Sequence, residues 1–261
     1  MSAPKSDSDL LSYEVRDRVA LLTMRRAPVN AVNYALIEAI HAGWRRGDAD
    51  PGVRAMILTS AFDKTFSAGM DLDLVVGTGG AGIRPFLMKF YMETLDIQYR
   101  LTKPTIAAVN GRARGAGVTL SITQDMIVAA DDTDIGYPEI NIGIIAAIHF
   151  VHLPRQISRH KAFEFLFTGD PIPTKQAEAI GLINYAVPKA QVMDKAMELA
   201  LKLASKSPEV MRLGRQSWMR ANDLDYRRNV ENQIETMCNI METPAAVEGM
   251  RAFLEKRKPK W

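Results

Sequence analysis

Short apolar runs alternate with helical patterns through the first half of the chain. Four of these runs predict buried strands, at residues 19–24, 55–60, 105–111 and 125–130. Between the first two, NYALIEAIHAGWRRG has apolar residues at helical spacing and stops at Gly47. Between the last two, GAGVTLSITQ predicts a helix that opens on glycines. Because strand, helix and strand follow one another, the sequence predicts βαβ units in a layered α/β fold.

After residue 155 the pattern becomes predominantly helical. The stretches RHKAFEFLFTG and TKQAEAIG each end on a glycine that favours a helix C-cap. Residues 189–206 show an amphipathic pattern of Ala, Leu and Lys, and the remainder of the chain has few turn signals. We therefore predict a core at residues 1–200 and a helical region at residues 201–261.

Composition excludes several classes of protein. The chain has 261 residues, of which 47% are hydrophobic and 24% charged, enough for a large buried core. The net charge is +3 with Lys and Arg scattered among the acidic residues, so nucleic acid is not an expected partner. Cys238 is the single cysteine, which excludes an internal disulfide and a multi-thiolate metal site within one chain. The polar N-terminus and the lack of an uncharged apolar run of about 18 residues favour a cytoplasmic protein.

Three motifs that look like functional signatures are weak here. GTGGAG at 77–82 satisfies a dinucleotide-binding pattern, but no second βαβ strand with an acidic residue follows, so we predict a loop. His149 and His152 lie three residues apart without a carboxylate or cysteine partner, and we expect no metal site. Ser67 is not in a G-x-S-x-G elbow, which argues against a nucleophilic serine.

A carboxylate and two small-residue turns are more informative. Glu139 lies in the apolar stretch DIGYPEINIGII, where an ionised carboxylate is costly unless it is paired, so it is either poorly buried or reactive. The turns TFSAGMDLD (65–73) and NGRARGAGVTL (110–120) each follow a predicted strand. One backbone N–H from each turn, aimed at one point, would form an oxyanion hole. Ordinary strand-to-helix turns are the alternative.

Six stretches are specific in combination: APVNAV (27–32), ILTS with TFSAGMDL (57–72), KPTIAAVNGRARGAGVTLS (103–121), QDMIVAADDTDIGYPEINIGII (124–145), FTGDPIPTKQAEAIGLINYAV (167–187) and EGMRAFLEKRKPKW (248–261). Together they resemble the crotonase superfamily, the enoyl-CoA hydratase and isomerase fold. The resemblance implies a spiral of ββα units with a C-terminal α-helical trimerisation region, assembled as a homotrimer or a dimer of trimers. It also implies an acyl-CoA thioester substrate, with coenzyme A as part of that substrate and no separate cofactor.

The resemblance also assigns site residues by motif. The N–H groups of Met70 and Ala116 would form the oxyanion hole for the thioester oxygen, with Glu139 as the catalytic carboxylate. Substrate contacts are expected from residues around these turns: Ser67, Ala68, Gly69, Asp71, Leu72, Gly115, Thr119, Pro138 and His149. Contacts to the CoA moiety are expected from Arg26, Val29, Phe253 and Lys256. Residues 74–98 are expected to form the variable wall of the acyl pocket.

The expected reaction depends on one missing carboxylate. Hydratases of this family use two glutamates; the first falls here at Thr119 and the second is Glu139. A threonine hydroxyl does not ionise near neutral pH, so syn hydration would lack the second of the two carboxylates that share acid and base work. Moving a double bond needs only one base. GIIAAIHF is also similar to a segment of the Δ3,Δ2-enoyl-CoA isomerases. We therefore expect enoyl-CoA isomerisation with Glu139 as a single proton shuttle.

Other functions remain open at the level of sequence. The protein could be a hydratase, or a hydrolase or lyase on an unusual acyl group, with His149 or an ordered water replacing the missing carboxylate. From a different class, it could be a non-catalytic acyl-CoA binder or an RNA-associated relative, although the mild basicity gives the latter little support.

Overall fold

The structure, a computed structural model, describes residues 9–223 and 225–260, and only the backbone of residues 226–228. The strands are β1 (Leu11–Arg16), β2 (Val19–Met24), β3 (Ala55–Ser60), β4 (Thr65–Ser67), β5 (Thr105–Val109), β6 (Arg112–Arg114), β7 (Met126–Ala130), β8 (Asp134–Gly136), β9 (Ile172–Pro173) and β10 (Tyr185–Val187). The helices are α1 (Tyr34–Ala49), α2 (Gly79–Leu87), α3 (Thr94–Arg100), α4 (Ala116–Ile122), α5 (His149–His152), α6 (Arg159–Phe167), α7 (Thr174–Ala179), α8 (Val192–Ala204), α9 (Pro208–Ala221), α10 (Tyr226–Met241) and α11 (Pro244–Leu254). In this described part of the chain, no helix is both long enough and apolar enough to cross a membrane.

Two sheets organise the fold. The larger has the order β1-β2-β3-β5-β7-β10, antiparallel between β1 and β2 and parallel elsewhere. The smaller has the order β4-β6-β8-β9, and its first three strands directly follow β3, β5 and β7 along the chain. Long strand, short strand and helical segment therefore recur, which confirms the predicted α/β spiral of ββα units.

The larger sheet is buried on both faces. All six residues of β3 are buried, with Met56 and Leu58 in the main hydrophobic core and Ile57 in a second cluster under α8. Continuous apolar runs, rather than an alternating pattern, are typical of parallel strands covered on two sides. Because α8 covers this sheet, it belongs to the core layer. Residue 200, the predicted domain boundary, lies inside α8, and the next helix begins at Pro208.

Arg215 anchors α9 to the core through a buried guanidinium. Its Nε donates to Asp125 Oδ2 at 2.9 Å, and its Nη1 donates to the carbonyls of Gln98 at 2.8 Å and Leu101 at 2.6 Å. These bonds pair a buried charge and also satisfy carbonyls at the C-terminal end of α3. Apolar side chains on the outward side of α9 are exposed: Val210, Leu213 and Trp218.

The last two helices pack back onto the core. Gly80 of α2 lies so close to the Cys238 carbonyl of α10 that a Cβ would collide with it. Glu242, at the end of α10, accepts a hydrogen bond from the Gly80 N–H and caps α2. GTGGAG is therefore not wholly a loop as predicted, because Gly79 starts a helix whose cap comes from a distant part of the chain.

Candidate active site

The turn after β4 is fixed by the loop at residues 27–32. Asn30 is buried with a φ of 50°, and its side-chain amide donates to Ser60 Oγ at 2.8 Å and to the Phe66 carbonyl at 3.0 Å. Ser67 Oγ donates to the Asn30 carbonyl at 2.7 Å. Asparagine tolerates positive φ better than most residues, so it suits this junction. Ser67 is consequently a structural link between loop and turn.

This loop leaves the Met70 N–H of the turn unused. The N–H groups of Ala68 and Asp71 donate to the carbonyls of Val29 at 3.0 Å and Val32 at 2.9 Å. The Met70 N–H lies between them in the chain and has no acceptor among the described residues. It is available to a ligand.

The turn before α4 provides a second unused donor. Gly115 has a φ of 46°, and its N–H donates to the Gly136 carbonyl at 2.9 Å. Ala116 is the first residue of α4, where N–H groups have no intrahelical acceptor, and the described residues offer it no other. A Cβ on Gly69 would lie 3.9 Å from the Ala116 nitrogen, so the turns that bear Met70 and Ala116 adjoin.

Glu139 lies on a 3₁₀ turn, Pro138–Ile142, beside this pair of turns. A Cβ on Gly115 would collide with Glu139 Oε1, so the carboxylate rests directly against the second turn. Its Oε2 is buried without a hydrogen-bond partner among the described residues. Burial raises the pKa of Glu139 from 4.5 to about 7. A carboxylate with this pKa can accept and return a proton near neutral pH.

A cavity of about 280 Å³ joins these groups. Met70, Ala116 and Glu139 lie on its wall, and Glu139 is the only carboxylate among the described residues that line it. Much of the remaining wall is apolar: Leu72, Val75, Ile142, Ile144, Ile145 and Met237. An apolar wall with a few convergent polar groups is typical of a small-molecule site.

The predicted substrate contacts divide into two groups. Five line the cavity: Ala68, Gly69, Leu72, Gly115 and Pro138. The other four do not line it: Ser67, Thr119 and His149 are buried, and Asp71 is half-buried in its ion pair with Arg26. Their polar atoms bond to protein groups, and the substrate contacts predicted for them stay predictions.

Thr119 and His149 belong to one buried row of hydrogen bonds. Thr119 Oγ1 lies 2.8 Å from His149 Nε2, and His149 Nδ1 lies 3.2 Å from the Tyr137 hydroxyl. Burial lowers the pKa of His149 well below its ordinary value, which keeps the imidazole neutral. His149 does not line the cavity, and both of its ring nitrogens lie within hydrogen-bond distance of protein side chains.

Arg26 and Asp71 form an ion pair at the first turn. Arg26 Nη1 also donates to the Ala31 carbonyl at 2.8 Å. These bonds brace the loop at residues 27–32. The CoA contacts predicted for Arg26 and Val29 stay predictions, and neither residue lines the cavity.

At the C-terminal end a cation other than the predicted one lines the cavity, and the CoA contact predicted for Lys256 stays a prediction. Phe253 lines the cavity as expected, but Lys256 is exposed and does not. Lys256 has a φ of 52°, which turns the chain after α11 and brings Arg257 to the cavity instead. Arg257 Nη1 donates to Glu248 Oε1 at 2.6 Å, which holds the guanidinium in place.

Tyr91 is a site residue that sequence reasoning missed. It lies in a π-helical segment, Met88–Glu93, and lines the cavity although only 6% of the residue is exposed. Burial and the nearby Glu139 carboxylate raise its pKa, so the phenol keeps its proton at neutral pH. The sequence placed residues 74–98 at the acyl pocket, yet helical spacing does not reveal a π-helical turn that rotates one side chain inward.

Two peptide N–H groups that are unpaired among the described residues and a buried carboxylate share an apolar wall, an arrangement that would suit a polarised carbonyl. The sequence model of the family described as "Enoyl-CoA hydratase/isomerase" matches residues 14–261. The chain therefore belongs to the enoyl-CoA hydratase/isomerase family.

Individual relatives agree with this assignment. A "Probable enoyl-CoA hydratase" of Bacillus subtilis (strain 168) is 32% identical over 253 residues, 96% of this chain and 98% of the relative. The human "Enoyl-CoA hydratase domain-containing protein 3, mitochondrial" is 31% identical over 235 residues, 89% of this chain and 76% of the relative. The crystal structure of a carnitinyl-CoA hydratase from Mycobacterium avium has a TM-score of 0.86 and 31% identity, covering 97% of this chain and 98% of that one.

Proposed function

We propose that the protein isomerises 3-enoyl-CoA thioesters to 2-enoyl-CoA thioesters with Glu139 as the single proton shuttle. The observation that carries this proposal is the lone carboxylate: Glu139 is the only one among the described residues that line the cavity. Position 119, where family hydratases have their second glutamate, is a threonine whose hydroxyl lies against His149. One base is sufficient to move a double bond, whereas concerted hydration divides acid and base work between two groups.

The steps balance with one carboxylate. Glu139 removes a proton from C2, and the electron pair of that C–H bond forms a dienolate that includes the thioester oxygen. The N–H groups of Met70 and Ala116 stabilise the charge on this oxygen with fixed dipoles. The protonated Glu139 then returns the same proton to C4, which leaves the double bond between C2 and C3. Coenzyme A is part of the substrate, and proton transfer needs no further cofactor.

The direct test follows formation of the conjugated thioester by its ultraviolet absorbance when purified protein is mixed with trans-3-hexenoyl-CoA. We expect turnover at catalytic enzyme concentration. If no absorbance of the conjugated thioester appears even at a stoichiometric concentration of enzyme, the proposal is contradicted.

A hydratase is the second candidate, favoured by the names of the relatives and by Tyr91. The Tyr91 hydroxyl on the cavity wall is a neutral donor that could hold a water molecule near Glu139. Incubation with trans-2-hexenoyl-CoA, followed as loss of conjugation, separates the two reactions. Faster loss from the 2-enoyl ester than isomerisation of the 3-enoyl ester would favour hydration.

A further inference from the structure

A row of three buried side chains lies directly behind the cavity wall. It runs from the Tyr137 hydroxyl to His149 Nδ1 at 3.2 Å and from His149 Nε2 to Thr119 Oγ1 at 2.8 Å. Thr119 Oγ1 in turn donates to the Gly115 carbonyl at 3.3 Å. The proton shuttle proposed for Glu139 does not use any of these three side chains.

The order of donors along this row follows from chemistry. A phenol O–H is more acidic than the N–H of a neutral imidazole, so we assign Tyr137 as the donor to His149 Nδ1. The neutral ring then carries its one proton on Nε2 and donates it to Thr119 Oγ1. The threonine proton is left for the Gly115 carbonyl, where the row ends.

The end of the row is a peptide group of the oxyanion hole. The Gly115 carbonyl and the Ala116 N–H belong to the same planar amide, whose resonance couples the oxygen to the nitrogen. A hydrogen bond accepted at the oxygen withdraws electron density from the nitrogen and makes the N–H a stronger donor. Successive hydrogen bonds in a low-dielectric interior reinforce one another, by about 10–30% per bond.

We propose that Tyr137, His149 and Thr119 act together as positioning residues that polarise the Gly115–Ala116 peptide and strengthen the Ala116 N–H as an oxyanion donor. This inference rests on the proposed function in one respect, that the ligand is an acyl thioester whose oxygen binds at Ala116. It does not depend on whether the reaction is isomerisation or hydration. It also gives a role to the threonine at the position of the missing glutamate.

The test measures the thioester carbonyl in a complex that cannot react. Hexanoyl-CoA labelled with carbon-13 at the thioester carbon is bound to the protein, and its carbonyl stretch is followed by isotope-edited infrared difference spectroscopy. In the wild type we expect the stretch to move to lower frequency on binding. Thr119→Val keeps the side-chain shape and removes the hydroxyl, and we expect it to lose part of this shift. Thr119→Ser, the matched control, retains the hydroxyl and should keep the full shift.

Kinetics provide a second readout. We expect Thr119→Val to lower kcat by about 3- to 10-fold, well short of the roughly 100-fold or greater loss on removal of an oxyanion donor. The dissociation constant of hexanoyl-CoA should stay within about twofold, because the bond to the ground-state carbonyl is only weakened. A merely structural role for Thr119 would alter stability without changing the carbonyl frequency.

The outcomes separate the two proposals. If the carbonyl frequency of hexanoyl-CoA does not change on binding to the wild type, the proposed acyl-thioester function is contradicted, and this inference is contradicted with it. If Thr119→Val keeps the full frequency shift, the inference about Tyr137, His149 and Thr119 is overturned, while the acyl-thioester function is not affected. The same result is expected if Thr119 donates to His149 and His149 donates to Tyr137, so this result also rules out the order of donors assigned above. If Thr119→Val does not fold, Tyr137→Phe removes the first donor and preserves the ring. That variant must then lose part of the shift, and retention of the whole shift overturns the inference.

Discussion

Three properties of its surroundings set Glu139 apart from the other carboxylates of the described chain. Its Oε2 is buried without a partner among the described residues, its Oε1 rests against a glycine, and it lies beside two unused peptide donors. Burial raises the pKa of this group to about 7, since the charged form loses hydration and gains no cation. The same environment that is costly for folding makes the carboxylate able to take up and release a proton.

Replacement of Glu139 by glutamine should separate catalysis from binding. Glu139→Gln keeps the size of the side chain but removes the base, so we expect turnover of 3-hexenoyl-CoA to fall by about 1,000-fold. Binding of hexanoyl-CoA, measured by calorimetry, should be retained because the peptide donors remain. Glu231→Gln, a change at an exposed residue of α10, is the control and should keep the normal rate. A near-normal rate in Glu139→Gln would show that another residue is the base.

The pH dependence of activity should reflect the same carboxyl group. Glu139 must be ionised to remove a proton, so kcat/KM should rise with pH and level off above a midpoint of about 7. Initial rates across the acidic and neutral range measure this midpoint. A rate that is already at its plateau at the ordinary carboxyl pKa would contradict a buried Glu139 base.

The free energy of unfolding should also depend on pH through the Glu139 carboxyl. The folded carboxyl has a pKa of about 7 against 4.5 for an ordinary glutamate, so unfolding between these values releases a proton and stability falls as pH rises. Glu139→Gln should therefore be more stable than the wild type at about pH 8, by about 1–3 kcal/mol. At about pH 4 this gain should disappear, because Glu139 is then protonated in the folded protein. Urea unfolding at the two pH values is the measurement.

Among the secondary-structure elements, α11 has the most direct influence on the site. Gly249 lies so close to the Ile142 carbonyl that a side chain would collide with it, and Gly143 packs in the same way against the start of α11. The helix thus supports the turn that bears Glu139 and also supplies Phe253 to the cavity. Small residues at the contact allow the two backbones to approach.

An alanine at Gly249 should move this helix and disturb the site. Because the contact is with backbone, the collision is relieved only if α11 or the Glu139 turn shifts, and we expect destabilisation of about 1–3 kcal/mol. Activity should fall as well, since small displacements of a catalytic group are costly. Gly214→Ala is the matched control: it lies in α9 with no atom within 4 Å of the added Cβ, so it should be neutral or slightly stabilising. Equal effects of the two changes in thermal unfolding and rate would contradict this account.

At the scale of the whole molecule, the helices after residue 207 make part of their contacts with the core of the same chain. Arg215 anchors α9, α10 covers α2, and α11 supports the site. The outward side of α9 nevertheless leaves large apolar side chains exposed: Val210, Leu213 and Trp218. Clustered exposed apolar residues mark interaction surfaces, which fits the homotrimer or dimer of trimers that we propose.

A charge on this surface should weaken assembly. Leu213 is 50% exposed, and a glutamate there would have to be desolvated if a second copy covers α9. We expect the wild type to be a trimer or hexamer by light scattering after gel filtration, and Leu213→Glu to shift toward smaller species. Val15→Glu, at a side chain that is 44% exposed on β1, is the control and should assemble normally. An unchanged mass for Leu213→Glu would exclude α9 from the interface.

Local patterns determined the longer elements of the core, and the tertiary structure decided the second sheet and how the site is completed. The predicted strands at residues 19–24 and 55–60 have the observed bounds, because a continuous apolar run buried on two faces is a local signal. The turns that bear Met70 and Ala116, and the unusual apolar context of Glu139, were also evident from short stretches. The short strands of the second sheet, the cap of α2 and the inward turn of Tyr91 were not, since each depends on groups distant in sequence or on a π-helical rotation. The pKa of Glu139 likewise depends on burial, which is fixed only when the distant elements around the cavity pack together.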